Sequence, residues 1–187
     1  MEVIDKKYTV ENFFELELPD DATHYYELLN GLLVRRNAPS GEHQHVQSEL
    51  LERFFAFVAS KKLGKIYSSP TAVVLSDNDV PQPDIIFLKK ENLAKFDPTW
   101  GIKGAPDLIV EIISPSSYRN DRVVKKELYQ KYGVKEYWLV DSNYKSIEIF
   151  LLKENTYQLH AFGIEDEKIT SIVLEGFELE LKDIFLK

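Results

Sequence analysis

The chain contains no cysteine, which excludes disulfide staples, thiolate zinc sites and a cysteine nucleophile. It has no apolar run near the ~20 residues that a membrane-spanning helix needs, and no membrane partner is expected. Its opening, Met1 to Lys7, lacks the apolar core of a secretory signal, so a cytoplasmic location is expected. The eight glycines are scattered and build no phosphate-binding loop. There is also no Gly-x-Ser-x-Gly elbow and no His-Glu-x-x-His zinc motif. Of the four histidines, His43 and His45 stand two apart and do not share a helix face, which argues against a histidine-based zinc site.

A strong basic patch is missing too. The net charge of −8 argues against a generally sticky nucleic-acid binder. The acidity lies at the termini, however: residues 1–30 hold eight acids against two bases, and residues 163–187 hold seven against three. The stretch between them has 18 bases and 16 acids, and such a surface can meet a phosphate backbone.

The length, 187 residues with 44% hydrophobic and 29% charged content, suits one domain over residues 1–187 with a full core. The chain is organised around Asp107 to Ser117, where a β-branched apolar run carries Glu111 in its middle. Such a run reads as a strand buried on both faces of an α/β sheet, with 109, 111 and 113 on one face and 108, 110 and 112 on the other. A carboxylate between Ile109 and Ile113 then needs a base, donor groups or a metal beside it, because an unpaired one would lose several kcal/mol on burial. The alternative is a strand end that reaches water.

Ahead of this strand, Thr9 predicts an N-capped helix to about residue 16. Asn30-Gly31 between apolar runs predicts a two-residue hairpin, with Glu27 on its first strand. Taken alone, Glu27 reads as a solvated strand residue. Val46, Leu50, Phe54 and Val58 predict a helix over 43–60 that Gly64 ends. Strands are expected at 65–68 and 71–76. Pro83 delays the next strand, so Asp84 stands at the start of the apolar run 85–88. Residues 89–106 read as a connecting segment. After residue 113 a helix is expected from about Arg119 to Tyr132, stopped by Gly133, with Asp121, Lys125 and Tyr129 on one face. Strands follow at 136–140, 146–152, 157–162 and 170–174.

Three carboxylates remain as candidates for chemistry: Glu27 on one strand, Asp84 opening another and Glu111 inside a third. Hard oxygen donors from adjacent strands suit Mg²⁺, which keeps several waters for chemistry. Pro83-Asp84 followed by Glu111 inside an apolar strand resembles the PD-(D/E)XK nuclease superfamily. Tyr26 to Gly31, His43, Pro83-Asp84-Ile85, Glu111 to Ser116, Asp121-x-x-x-Lys125-x-x-x-Tyr129, Gly133-Val134 and Glu136 to Asp141 together resemble, more closely, the restriction-endonuclease family called Uma-two, over about residues 10–152.

The resemblance implies a restriction-endonuclease-like α/β fold, a central mixed β-sheet flanked by helices, and a Mg²⁺ (or Mn²⁺)-dependent endonuclease acting on DNA. It implies Asp84, Glu111 and the backbone carbonyl of Ile112 as metal ligands, and Glu27 as a further acidic residue beside the ion. Where the superfamily has a lysine two positions after the glutamate, this chain has Ile113. A helix lysine takes that role in the Uma-two family, which here is Lys125; the alternative is a solvated pair between Lys125 and Asp121. Tyr129 and His43 are expected to pack or to orient. Relatives in this fold family commonly pair, so a homodimer is expected, with Tyr129, Tyr132, Tyr137 and Trp138 either at its interface or in the monomer core. The competing function is a non-catalytic nucleic-acid- or protein-binding module on a nuclease-like fold.

Overall fold

The structure is a computed structural model that describes residues 3–17, 24–114 and 117–185. Pro115 and Ser116, part of the motif after Glu111, lie outside the described residues. Strand β1 (Val3–Lys7) and helix α1 (Val10–Glu15) open the chain. Thr9 caps α1 through a reciprocal pair of hydrogen bonds with Asn12. The hairpin follows as β2 (His24–Leu29) and β3 (Leu32–Asn37). Asn30 and Gly31 take φ of 54° and 75°, the left-handed pair that a two-residue turn requires. Strand β1, which the sequence did not announce, adds to the free side of β3.

Helix α2 (Gly41–Lys61) starts at an N-cap, Ser40, and buries the stripe Val46, Leu50, Phe54 and Val58. It ends at Lys62 in the left-handed conformation, not at Gly64 as expected. Gly64 instead opens β4 (Gly64–Ser68). A Cβ at that position would lie 1.9 Å from the Leu88 carbonyl oxygen, so the residue is needed for strand approach and not for helix termination. Of the expected strand 71–76 only β5 (Val73–Val74) forms, before β6 (Ile85–Lys89). The connecting segment is more ordered than expected: it holds a 3₁₀ turn at Lys90–Lys95 and the short strands β7 (Phe96–Asp97) and β8 (Gly101–Lys103), of which β8 lies between β5 and β7 and pairs with both.

Strand β9 (Leu108–Ile113) is buried at every position. A π-helical turn, Asn120–Lys125, runs into α3 (Lys126–Tyr132), which Gly133 caps in the left-handed conformation. Then come β10 (Glu136–Asp141), β11 (Ser146–Lys153), β12 (Thr156–Ile164), β13 (Lys168–Thr170) and β14 (Glu178–Glu180). The strand expected over 170–174 stops at Thr170, because Glu136 draws the following residues into a turn.

The central sheet has six strands in the order β12-β11-β10-β9-β6-β4. It is mixed: β9 and β10 run parallel, and the other pairs are antiparallel. On one face α2 packs with Val110, Ile112 and Trp138 in a core completed by the C-terminal residues Phe177, Leu179, Leu181 and Ile184. On the other face Tyr129 of α3 packs with Ile109, Ile113, Tyr137 and Leu139, and Leu128 joins Leu29 and Val34 of the hairpin. The sheet is therefore flanked by helices, in an α/β arrangement. Tyr129, Tyr137 and Trp138 are fully buried here, so these rings fill the core and do not offer a subunit interface. Tyr132 is half-buried and donates to Asp79.

Glu136 holds the C-terminal segment in place. Its buried carboxylate accepts from the Trp138 indole at 2.6 Å, the Ser171 hydroxyl at 2.6 Å, and the backbone N–H groups of Ile172 and Val173 at 2.9 and 2.8 Å. Glu136→Ala would leave four donors without an acceptor, and a loss of about 3 kcal/mol or more is expected, given ~1–3 kcal/mol for each buried group left unpaired. Urea unfolding measures it; a change below about 1 kcal/mol would contradict this anchoring role.

Candidate active site at the open end of strands β6 and β9

The site begins where two strands part. The β6–β9 ladder pairs Phe87 with Leu108, Ile86 with Ile109 and Ile85 with Val110. One step further in this register Asp84 stands across from Glu111, where β6 has ended and β9 continues beside β10. Pro83 lacks an N–H and explains why the ladder goes no further. The Asp84 side chain takes over part of it: its Oδ2 accepts from the Ile112 backbone N–H at 2.7 Å. The same oxygen lies 3.2 Å from His43 Nε2, and Gln47 donates to the Asp84 carbonyl at 2.9 Å. Asp84 is thereby clamped between β9 and the first turns of α2. His43 orients it, one of the two roles expected for that residue.

Glu111 points to the α3 face, where Lys125 waits. Lys125 Nζ lies 2.9 Å from Glu111 Oε1 and 2.7 Å from Glu27 Oε1, with no side-chain exposure to solvent. Asp121 Oδ1 is 3.9 Å away. The solvated Lys125–Asp121 pair is thus overturned: both residues are buried, and the partners of the ammonium are the two glutamates. Glu27, which alone read as solvated, is fully buried because the hairpin docks against α3. Its Oε1 also accepts from the Gln82 backbone N–H at 2.7 Å. The Tyr129 hydroxyl donates to Glu111 Oε1 at 2.5 Å, so this ring both packs and orients. Ile113 lies in the apolar cluster with Tyr129 and Tyr137, and the cation beside Glu111 comes from the helix.

Arg36 completes the cluster, and sequence reasoning missed it. Its Nη2 donates to Asp121 Oδ1 at 3.0 Å and its Nε lies 3.5 Å from Glu27 Oε2. A signal was present. The two-residue turn fixes Glu27 opposite Val34 and Tyr25 opposite Arg36, which puts Arg36 diagonally beside Glu27 on one face.

Burial is the largest influence on Glu111. Against the pull of Lys125, and with Asp121, Asp84 and Glu27 adding repulsion, it raises the pKa from 4.5 to about 8. Burial works against the Lys125 ammonium, but Glu111 and Glu27 outweigh it and hold its pKa above the ordinary lysine value. For His43, burial is likewise outweighed by the hydrogen bond and charge of Asp84, and its pKa is raised. Tyr129 is pushed well up by burial and by the Glu111 charge.

A cavity of about 280 Å³ lies over Asp84 and Ile112, lined also by Tyr25, Arg35, Arg36, Ser40, His43 and Ser117. Among the described residues no three His, Asp or Glu side chains form a protein cage for a metal. A magnesium ion does not need one: one or two carboxylates, waters and substrate oxygens suffice. Asp84 and Ile112 line the cavity, and Glu111 stands across from Asp84 in the strand register, a set of hard oxygen donors of the kind such an ion takes.

Comparison with solved structures gives the class of fold. The crystal structure of a "putative nuclease belonging to DUF820" from Anabaena variabilis ATCC 29413 matches with a TM-score of 0.76 over 95% of this chain and 97% of that one, at 19% identity. The architecture is that of a nuclease-like α/β fold. The family model Uma2, described as "Putative restriction endonuclease", matches residues 10–182, and the chain belongs to that family. No curated protein matches it.

The Glu111 shift has a consequence for stability. Above pH 4.5 the unfolded chain leaves this carboxyl deprotonated, whereas the folded protein keeps the proton up to about 8. The folded state binds more protons in that window, so stability falls as pH rises across it. In chelator-treated protein, urea unfolding from pH 5 to 8 should show this decline, on the order of a few kcal/mol, and Glu111→Gln should remove most of it. Equal slopes in parent and variant would contradict the assignment.

Proposed function

We propose that the protein is a Mg²⁺ (or Mn²⁺)-dependent endonuclease that hydrolyses DNA phosphodiester bonds. The observation that carries this reading is the pair Asp84 and Glu111 at the open end of β6 and β9, with a buried lysine on the second carboxylate. Asp84, Glu111 and the Ile112 carbonyl would hold the ion. When bound, it supplies a more acidic water and shields the charge that develops on the phosphate.

The chain's own residues then have separable tasks. His43 and the Ile112 N–H fix the Asp84 carboxylate, and Tyr129 fixes that of Glu111. Such orientation places the attacking water in line with the bond it breaks. Lys125 stays protonated, since its pKa is raised. It therefore acts as a fixed positive charge toward the water or the phosphate and not as a general base. Glu27 is the acidic residue that keeps this ammonium charged and in place.

Calorimetric titration of Mg²⁺ and Mn²⁺ into metal-free protein, paired with a cleavage assay on DNA, tests the reading. Asp84→Ala and Glu111→Ala should each abolish the binding heat and lower the rate by ~10²-fold or more. Variants that cut as well as the parent would overturn the site. A silent titration of the parent at millimolar metal would favour a binding module that keeps the fold.

A further inference from the structure

Arg36 lines the cavity over Asp84, and its environment is unusual for a buried arginine. Its side chain is 9% exposed. Nε faces Glu27 and Nη2 donates to Asp121, but Nη1 is buried and has no hydrogen-bond partner among the described residues. A guanidinium nitrogen without an acceptor in the interior is costly. The two acids that hold Arg36 therefore explain only part of what it presents.

The rest of the cavity points the same way. Arg35, Arg36 and His43 line it against a single carboxylate, Asp84, in a protein whose net charge is −8. Ser117 contributes to its wall, and Ser40 marks the N-terminus of α2 there, the positive end of a 21-residue helix. This is the surroundings of an anion, placed beside the carboxylates assigned above to the metal.

We propose that Arg36 is a substrate-binding residue whose Nη1 takes a non-bridging oxygen of a phosphodiester seated in this cavity. The proposal rests on the nuclease reading for the identity of its ligand, and the anion site itself does not depend on metal or on cleavage. Glu27 and Asp121 hold the guanidinium at Nε and Nη2, and Nη1 is itself buried in a residue that lines the cavity, so a small turn of the held group, and not a new placement of a long side chain, brings it to phosphate. Such preorganisation is what distinguishes arginine from lysine at a phosphate site.

The probe is inorganic phosphate, followed by a thymidine dinucleotide as the simplest phosphodiester, each titrated calorimetrically into chelator-treated protein. The parent should bind both in the millimolar range. Arg36→Lys keeps a cation between Glu27 and Asp121 and should still fold, with a cooperative melting transition at a somewhat lower temperature than the parent. It should weaken both ligands by roughly tenfold or more, as expected for loss of a charge-assisted hydrogen bond. No binding by the parent, or equal affinity in the lysine variant, would overturn the proposal and leave a buried water as the partner of Nη1. Should the variant not fold, the guanidinium nitrogen resonances of Arg36 in the parent decide the matter: a shift on adding phosphate supports the site, and no shift rejects it. Phosphate binding with no metal-dependent cleavage would overturn the nuclease reading alone, whereas cleavage without Arg36-dependent phosphate binding would overturn this inference alone.

Discussion

A lysine ammonium with no exposure to solvent sets the terms for this structure. Lys125 leaves water entirely, and the loss of hydration is offset only because Glu27 and Glu111 each place an oxygen within 2.9 Å of it. Those three residues come from the hairpin, the central sheet and the helical turn before α3. The position of each element is therefore tied to one charge, and removing any partner leaves a buried ion uncompensated. Arg36 and Asp121 extend the arrangement, so that acids and bases alternate through the interior between β3 and β9. The π-helical turn at Asn120–Lys125 belongs to the same constraint, since it is the segment that delivers Asp121 and Lys125 to the interior side by side.

The second constraint is the unequal length of two neighbouring strands. Strand β6 stops at Ile85 while β9 runs on to Ile113. Backbone groups of β9 beyond Val110 need other partners on that side, and the Asp84 side chain supplies one to Ile112. The polar end of the sheet is thus built from the same feature that brings two carboxylates into register. It opens on the wall of a cavity lined by Arg35, Arg36 and His43.

Local patterns in the sequence carried much of this. The Asn30-Gly31 turn, the stripe along α2, the fully apolar β9 and the delay of β6 by Pro83 each depend on neighbours within a few residues, and each is found in the structure. Asp84 and Glu111 were legible as candidates because a carboxylate beside an apolar strand stands out. What failed to show was long-range. Glu27 looks like an ordinary strand residue until the hairpin docks on α3, and Lys125 pairs with Asp121 by helical spacing until two glutamates from other strands approach it. Gly64 suits a helix end as well as a close strand approach, and only the Leu88 carbonyl decides between them. The aromatic cluster near Tyr137 is equally consistent with interface and core until the sheet places it.

The central claim is that the Lys125 charge serves the chemistry at Asp84 and Glu111 and not folding alone. Single-turnover cleavage of DNA by Lys125→Met, at saturating Mg²⁺ and in samples whose circular dichroism matches the parent, tests it most directly, because methionine keeps much of the stem and removes the ammonium. The account predicts a rate lower by ~10²-fold or more, with metal affinity retained or improved now that a cation has left the site. Cleavage at the parent rate by the folded variant would contradict it.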